Sequence, residues 1–214
     1  MNTYFKDLNK LPNNKIINDM RKYAKANKVP IINDEGLTFM LTLVDILKPK
    51  KFLEIGTAIG FCSICIATEN PNLIIDTIEK DDLMYNESLR NIKAAKLEDR
   101  IRVHYADALD FALSNLEDNY DIIFIDAAKA QYSKFFEKYE VLLDDDGAII
   151  TDNLLFHGLV INHNSIENKN LKSLVSKIDY FNFWLKKNKK YYTYFLDTGD
   201  GIAISRRVKK KWNC

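Results

Sequence analysis

Two short runs carry residue types that could do chemistry. Phe124-Ile125-Asp126-Ala127-Ala128-Lys129 is followed, twenty-three residues beyond Lys129, by Asp152-Asn153. Together they offer two carboxylates, an amide and an amine, each just past an apolar run. Oxygen side chains of this kind suit a hard divalent cation such as Mg²⁺, which prefers oxygen ligands. A lysine beside such a cation can take the proton of a hydroxyl that the cation acidifies. The pairing points to activation of an oxygen nucleophile.

Such groups need rigid elements to aim them, and the hydrophobic pattern supplies candidates. Residues 51–55, 73–78, 101–104, 120–125 and 147–151 are short runs rich in apolar and β-branched residues. Runs of this kind suit strands buried on both faces of a parallel sheet. Helical patterns fall between them, at roughly 61–69, 82–97, 108–116 and 132–142, with two more before the first strand near 13–27 and 34–47. A helix near 168–188 leads to strand-like runs 191–196 and 202–206, joined by Asp197-Thr198-Gly199-Asp200-Gly201. Alternating strand and helix predicts a doubly wound, mostly parallel, seven-stranded Rossmann-like α/β sheet. The last two runs predict an antiparallel C-terminal hairpin. One domain spanning 1–214 is expected, with 1–48 as an N-terminal helical segment packed on it.

Bulk properties agree with this. The chain is 47% hydrophobic and 29% charged, as a soluble globular protein would be, and no apolar stretch approaches a membrane span. The first ten residues lack the apolar core of a signal peptide. Three cysteines give no disulfide framework, so a reducing cytoplasm is the expected setting. The net charge of +1 hides an asymmetry: residues 1–30 hold seven basic and two acidic side chains, and residues 181–214 hold nine and two. The middle is therefore acidic, and two basic ends could form a patch for a polyanion.

In a doubly wound sheet, ligands bind at the carboxyl ends of the strands. After the first run comes Glu54-Ile-Gly56-Thr57-Ala-Ile-Gly60, whose glycines permit a tight turn before a helix start. Its spacing is not the Gly-x-Gly-x-x-Gly of dinucleotide binders, which disfavours NAD. Glu79 after the second run could hold two ribose hydroxyls, or be a surface carboxylate at a helix start. Asp107-Ala108 after the third could meet an adenine edge, or Asp107 could be a plain N-cap. Cys62-Ser-Ile-Cys65 has the spacing of a redox dithiol, but ordinary buried thiols are the expected reading. The stripe Tyr180, Phe181, Phe183, Trp184 is expected to be core or dimer contact rather than a base-stacking platform.

With these residues in place, the chain resembles the cation-dependent O-methyltransferases, the class of the catechol and caffeoyl-CoA enzymes. The match rests on Glu54-Ile-Gly56-Thr-x-x-Gly60, Phe124-Ile-Asp126-Ala-x-Lys129, Asp152-Asn153 and Gly199-Asp-Gly201-Ile-Ala-Ile, in that order. It covers about residues 30–206. Within the class, residues 56–60, 91–102, 125–132 and 152–160 are more similar to the bacterial tRNA 5-hydroxyuridine methyltransferases, which make 5-methoxyuridine with S-adenosylmethionine.

The resemblance implies a role for each residue. Asp126, Asp152 and Asn153 would hold Mg²⁺ or a like cation, and Lys129 would be the general base. Ile31, Glu54, Gly56, Thr57 and Cys62 would line the methionine end of S-adenosylmethionine, Glu79 its ribose and Asp107-Ala108 its adenine. Asp126 would also lie near the sulfonium. Cys62 departs from the usual Ser, and Ala128 from a second Asp found in plant relatives. A homodimer is implied as well. The expected substrate is tRNA, with Lys186, Lys187, Lys189, Lys190, the run 206–211 and the basic N-terminal segment as candidate phosphate contacts. A small catechol-like acceptor is the alternative, since both acceptors present vicinal oxygens. A nucleic-acid-binding module with a relic pocket is the non-enzymatic reading.

Overall fold

The structure is a computed structural model that describes Tyr4 and residues 8–209. Its strands form one seven-stranded sheet in the order β3-β2-β1-β4-β5-β7-β6. The chain divides into two compact units between Phe111 and Ala112.

In the first unit, α1 (Lys15–Asn27) and α2 (Asp34–Leu47) precede β1 (Lys51–Ile55), α3 (Phe61–Glu69), β2 (Ile74–Glu79), α4 (Asp82–Ala95) and β3 (Ile101–Tyr105). Short polar side chains start the helices: Asn14, Asn33 and Asp81 accept from the amides of Ile17, Gly36 and Met84. β1 and β2 are parallel, as are β2 and β3, and both β1 and β2 are buried along most of their length. Seven of the nine residues of α3, from Phe61 to Ala67, are buried, so this helix is apolar on nearly every side. Arg21 on α1 pairs with Asp34 on α2 at 2.5 Å and lies 5.0 Å from the Phe61 ring, which ties the N-terminal helices to α3.

In the second unit, β4 (Tyr120–Ile125), α5 (Tyr132–Tyr139), β5 (Leu143–Thr151), α6 (Lys169–Lys187), β6 (Tyr191–Leu196) and β7 (Ile202–Arg207) follow. β4 and β5 are parallel, while β5–β7 and β6–β7 are antiparallel, as the C-terminal hairpin predicts. The core includes Phe136, Tyr132 and Phe181, with half-buried Trp184 against them, and these rings meet edge-on or stacked at 5.2 to 6.4 Å.

One predicted helix is absent. Residues 108–116 form a turn and a short 3₁₀ segment, Leu113–Asn115, in place of an α-helix. The Asp107 carboxylate accepts from the Leu109 amide, and Ala112 is extended at φ −73°, ψ 124°. The side chain competes with the helix for the backbone donors. No helix among the described residues is long and apolar enough to cross a membrane.

Candidate functional site

The first unit brings Glu54, Thr57, Cys62, Glu79, Asp107 and Ala108 to the carboxyl ends of β1, β2 and β3 or the turns that follow. Beyond β1 the chain turns through Gly56 (φ 102°), Ala58 (φ 46°) and Gly60 (φ 78°) before α3 starts. Gly60 has reason to be glycine: its φ is one that side chains avoid, and a Cβ there would sit 3.4 Å from Ser88 Cβ.

Glu54 is almost wholly buried, and its Oε2 accepts from Ser63 Oγ and Thr77 Oγ1, each at 2.6 Å. The Thr77 hydroxyl also meets Thr57 Oγ1 at 2.6 Å. Glu79 accepts from three backbone amides: Ala58 at 2.8 Å, Lys80 at 2.9 Å and Asp81 at 2.8 Å. It thereby fastens the glycine turn to the start of α4. Asp107 Oδ2 pairs with Lys80 Nζ at 3.3 Å, so Lys80 links the β2 and β3 ends. Ala108 is buried and Ile31 half-buried, at the start of the segment leading into α2.

Cys62 and Cys65 are buried and form no disulfide. Burial pushes the Cys65 thiol up to about 12, which keeps it protonated and unreactive. The dithiol spacing thus reflects core packing. Ser63 was not singled out by sequence; a hydroxyl one residue past Cys62 reaches Glu54, a contact that only the first turn of α3 makes.

The second unit collects a different set. Asp126 follows β4 and Asp152 follows β5, with the Asp152 amide donating to Ile125 O at 3.2 Å. Asn153 takes a left-handed φ of 59°. Lys129 Nζ donates to Asn153 Oδ1 at 2.5 Å and lies 3.8 Å from Asp126 Oδ1. The four residues of the opening constellation are therefore brought together. Tyr132, buried, donates its hydroxyl to Asp152 O at 3.0 Å and supports the turn from below.

Asp200 was quoted in a motif but given no role. It sits in the loop between β6 and β7, nearly buried, and Oδ1 accepts from the His157 amide at 2.6 Å. It holds a loop in which Phe156, His157 and Gly158 all have positive φ. Gly201 makes that approach possible: at φ 84°, a Cβ would lie 2.7 Å from Leu155 Cγ and 2.9 Å from the Leu155 nitrogen. His157 itself is exposed, with Nδ1 3.7 Å from Asp200 Oδ2.

The electrostatics of this set are strained. Burial raises Asp126 above the usual carboxylate range; Lys129 opposes the rise and Asp200 adds to it. Burial and the Asp126 charge push Asp152 up to about 7, against the Asn153 amide and Lys129. Asp152 Oδ2 and Asp200 Oδ2 are buried with no hydrogen-bond partner. Buried carboxylate oxygens without donors are costly, and a cation meets that need. Among the described residues no group of three His, Cys, Asp or Glu side chains is placed to hold a metal. The set that fits one is two carboxylates and the Asn153 amide, all oxygen donors.

Comparison with known proteins identifies the family. The O-methyltransferase family model matches residues 8–208, and the chain belongs to that family. A Staphylococcus aureus protein described as a caffeoyl-CoA O-methyltransferase superposes with a TM-score of 0.90 at 38% identity, over 96% of this chain and 98% of that one. The caffeoyl-CoA O-methyltransferase of Populus kitakamiensis is 28% identical over 193 residues, 88% of this chain and 82% of the plant enzyme. A Bacillus cereus O-methyltransferase solved with SAH shares the fold, with a TM-score of 0.78 at 24% identity over 92% of each chain.

Proposed function

We propose that this O-methyltransferase uses S-adenosylmethionine and a divalent cation to methylate 5-hydroxyuridine in tRNA, giving 5-methoxyuridine. The observation that carries the cation is the buried, donor-less Asp152 Oδ2, in a set that also brings Asp126 and the Asn153 amide oxygen to Lys129. Asp126, Asp152 and Asn153 are the residues that would hold it. When bound, S-adenosylmethionine supplies the methyl group and the cation supplies a Lewis acid that acidifies and orients the acceptor hydroxyl.

The chain's own residues do the rest. Lys129 is held by Asn153 beside Asp126 and takes the acceptor proton at Nζ. Tyr132 fixes the Asp152 backbone, and Asp200 orders the loop that follows Asn153. Glu54, Thr57 and Cys62 would line the methionine end of the cofactor. Glu79 and Asp107 already serve local backbone amides, and their remaining acceptor capacity would take the ribose and adenine. Support for S-adenosylmethionine comes from the SAH complex of the Bacillus cereus enzyme of the same fold.

The tRNA acceptor rests on the stretches at 56–60, 91–102, 125–132 and 152–160 and on the basic ends of the chain. A small catechol-like acceptor is the second reading, favoured by the relatives described as caffeoyl-CoA enzymes. An in vitro methylation assay with hydroxyuridine-containing tRNA and with catechol separates them. The tRNA reading expects transfer to the tRNA. Unchanged 5-methoxyuridine in tRNA from cells lacking the protein would refute it.

A further inference from the structure

Three members of the basic C-terminal set expected from sequence are ion-paired in the fold and a fourth is hydrogen-bonded. Arg207 pairs with Asp145 at 3.1 Å, Lys209 with Asp146, and Lys190 with Glu140 at 3.0 Å, while Arg206 donates to Asp146 O. Lys210 and Lys211 lie outside the described residues. Phosphates would have to compete with those carboxylates.

Helix α6 presents the opposite situation. Its inner face is Val175, Ile178, Phe181 and Leu185, all buried. At 100° per residue the other face carries Lys169, Lys172, Lys177, Tyr180, Phe183 and Lys187. All six are exposed, Tyr180 by 65% and Phe183 by 52%. None of the four lysines has an ion-pair partner among the described residues. Between residues 163 and 190 there are seven lysines against Glu167 and Asp179 alone. The aromatic stripe expected to be core or dimer contact is thus split, with Phe181 buried, Trp184 half-buried against it, and Tyr180 and Phe183 exposed.

The loop that begins at Asp152-Asn153 runs to the start of α6, and His163 in it meets Ser176 on α6 at 2.9 Å. Unpaired lysines interleaved with exposed aromatics match the chemistry of a single-stranded RNA backbone with stackable bases.

We infer that the outer face of α6, through Lys169, Lys172 and Lys177 with Tyr180 and Phe183, is where substrate RNA docks, an assignment that rests on the tRNA reading above. The lysines take phosphates, and the aromatics take bases splayed beside the target nucleotide. The test is fluorescence anisotropy of labelled tRNA with the full chain at several salt concentrations. The triple variant Lys169→Gln/Lys172→Gln/Lys177→Gln is expected to weaken binding at least tenfold and to flatten the log–log salt slope by about 2. Tyr180→Ser/Phe183→Ser is expected to cost about tenfold with little change in that slope. Both should keep the wild-type melting temperature.

Wild-type binding that the triple variant leaves unchanged, in affinity and slope, overturns the surface while the tRNA reading stands. Absence of tRNA binding by the wild type overturns both. If light scattering shows that Tyr180→Ser/Phe183→Ser alters only the oligomeric mass and not RNA affinity, a second copy covers this face and the inference falls.

Discussion

The acidic residues at the strand ends of the two units face opposite situations. In the first unit Glu54 and Glu79 are met by donors of the protein itself: two hydroxyls on one, three amides on the other. In the second, Asp152 Oδ2 and Asp200 Oδ2 are buried without donors, and Asp126 and Asp152 are pushed towards their neutral forms. A satisfied carboxylate fixes a loop. An unsatisfied pair beside an amide oxygen is a place for charge from outside. The contrast separates strand-end carboxylates that the first unit satisfies itself from those that the second unit leaves without donors.

The sharpest way to break this contrast is at Lys129. Lys129→Arg keeps the positive charge near Asp126 but cannot give up a proton. Methyl transfer should fall about 10²- to 10⁴-fold, as for loss of a general base, while circular dichroism stays unchanged. Asp152→Ala should be equally inactive. Full activity in either variant would show that the constellation is structural.

Next in size is the response to metal. Mg²⁺ at a hundredfold excess over its Kd should stabilise the protein by about 2.7 kcal/mol, read as a rise in Tm. Asp126→Asn/Asp152→Asn should abolish that rise, and Glu54→Gln should leave it in place.

On the satisfied side, Ser63→Ala removes one donor from buried Glu54. It should cost about 1.5–3 kcal/mol in denaturant unfolding, with the Mg²⁺ response intact. A variant with unchanged stability would mean that the hydroxyl does not hold Glu54.

One further effect has the reverse sign. Asp152 is raised from its ordinary 3.8 to about 7, so its neutral form favours the fold. That contribution is complete below the unfolded value and is lost as pH rises through about 7. Without metal, Asp152→Asn should therefore be more stable than wild type at pH 8, by about 2–4 °C for each kcal/mol regained, and little different at pH 4. Equal stability at both pH values would contradict the electrostatic account.

Much of the sheet was legible because parallel strands buried on both faces read as continuous apolar runs, as 51–55 and 120–125 do. The metal and base candidates were legible because they follow such runs directly. Asp107 misled: residues 108–116 carry a helix-like apolar spacing, but its side chain caps the Leu109 amide and turns the chain instead. Asp200 was illegible because Gly-Asp-Gly reads as a turn, and its contact lies forty-three residues away at His157. The pairings of Arg207 and Lys209 were illegible for the same reason, since Asp145 and Asp146 are some sixty residues distant.

The most direct test of cation-assisted O-methyl transfer is the rate of methyl transfer by chelator-treated enzyme, with and without added Mg²⁺, using hydroxyuridine-containing tRNA and catechol as acceptors. The account predicts negligible transfer after chelation and recovery with Mg²⁺ on at least one acceptor. Full transfer in excess chelator would contradict it.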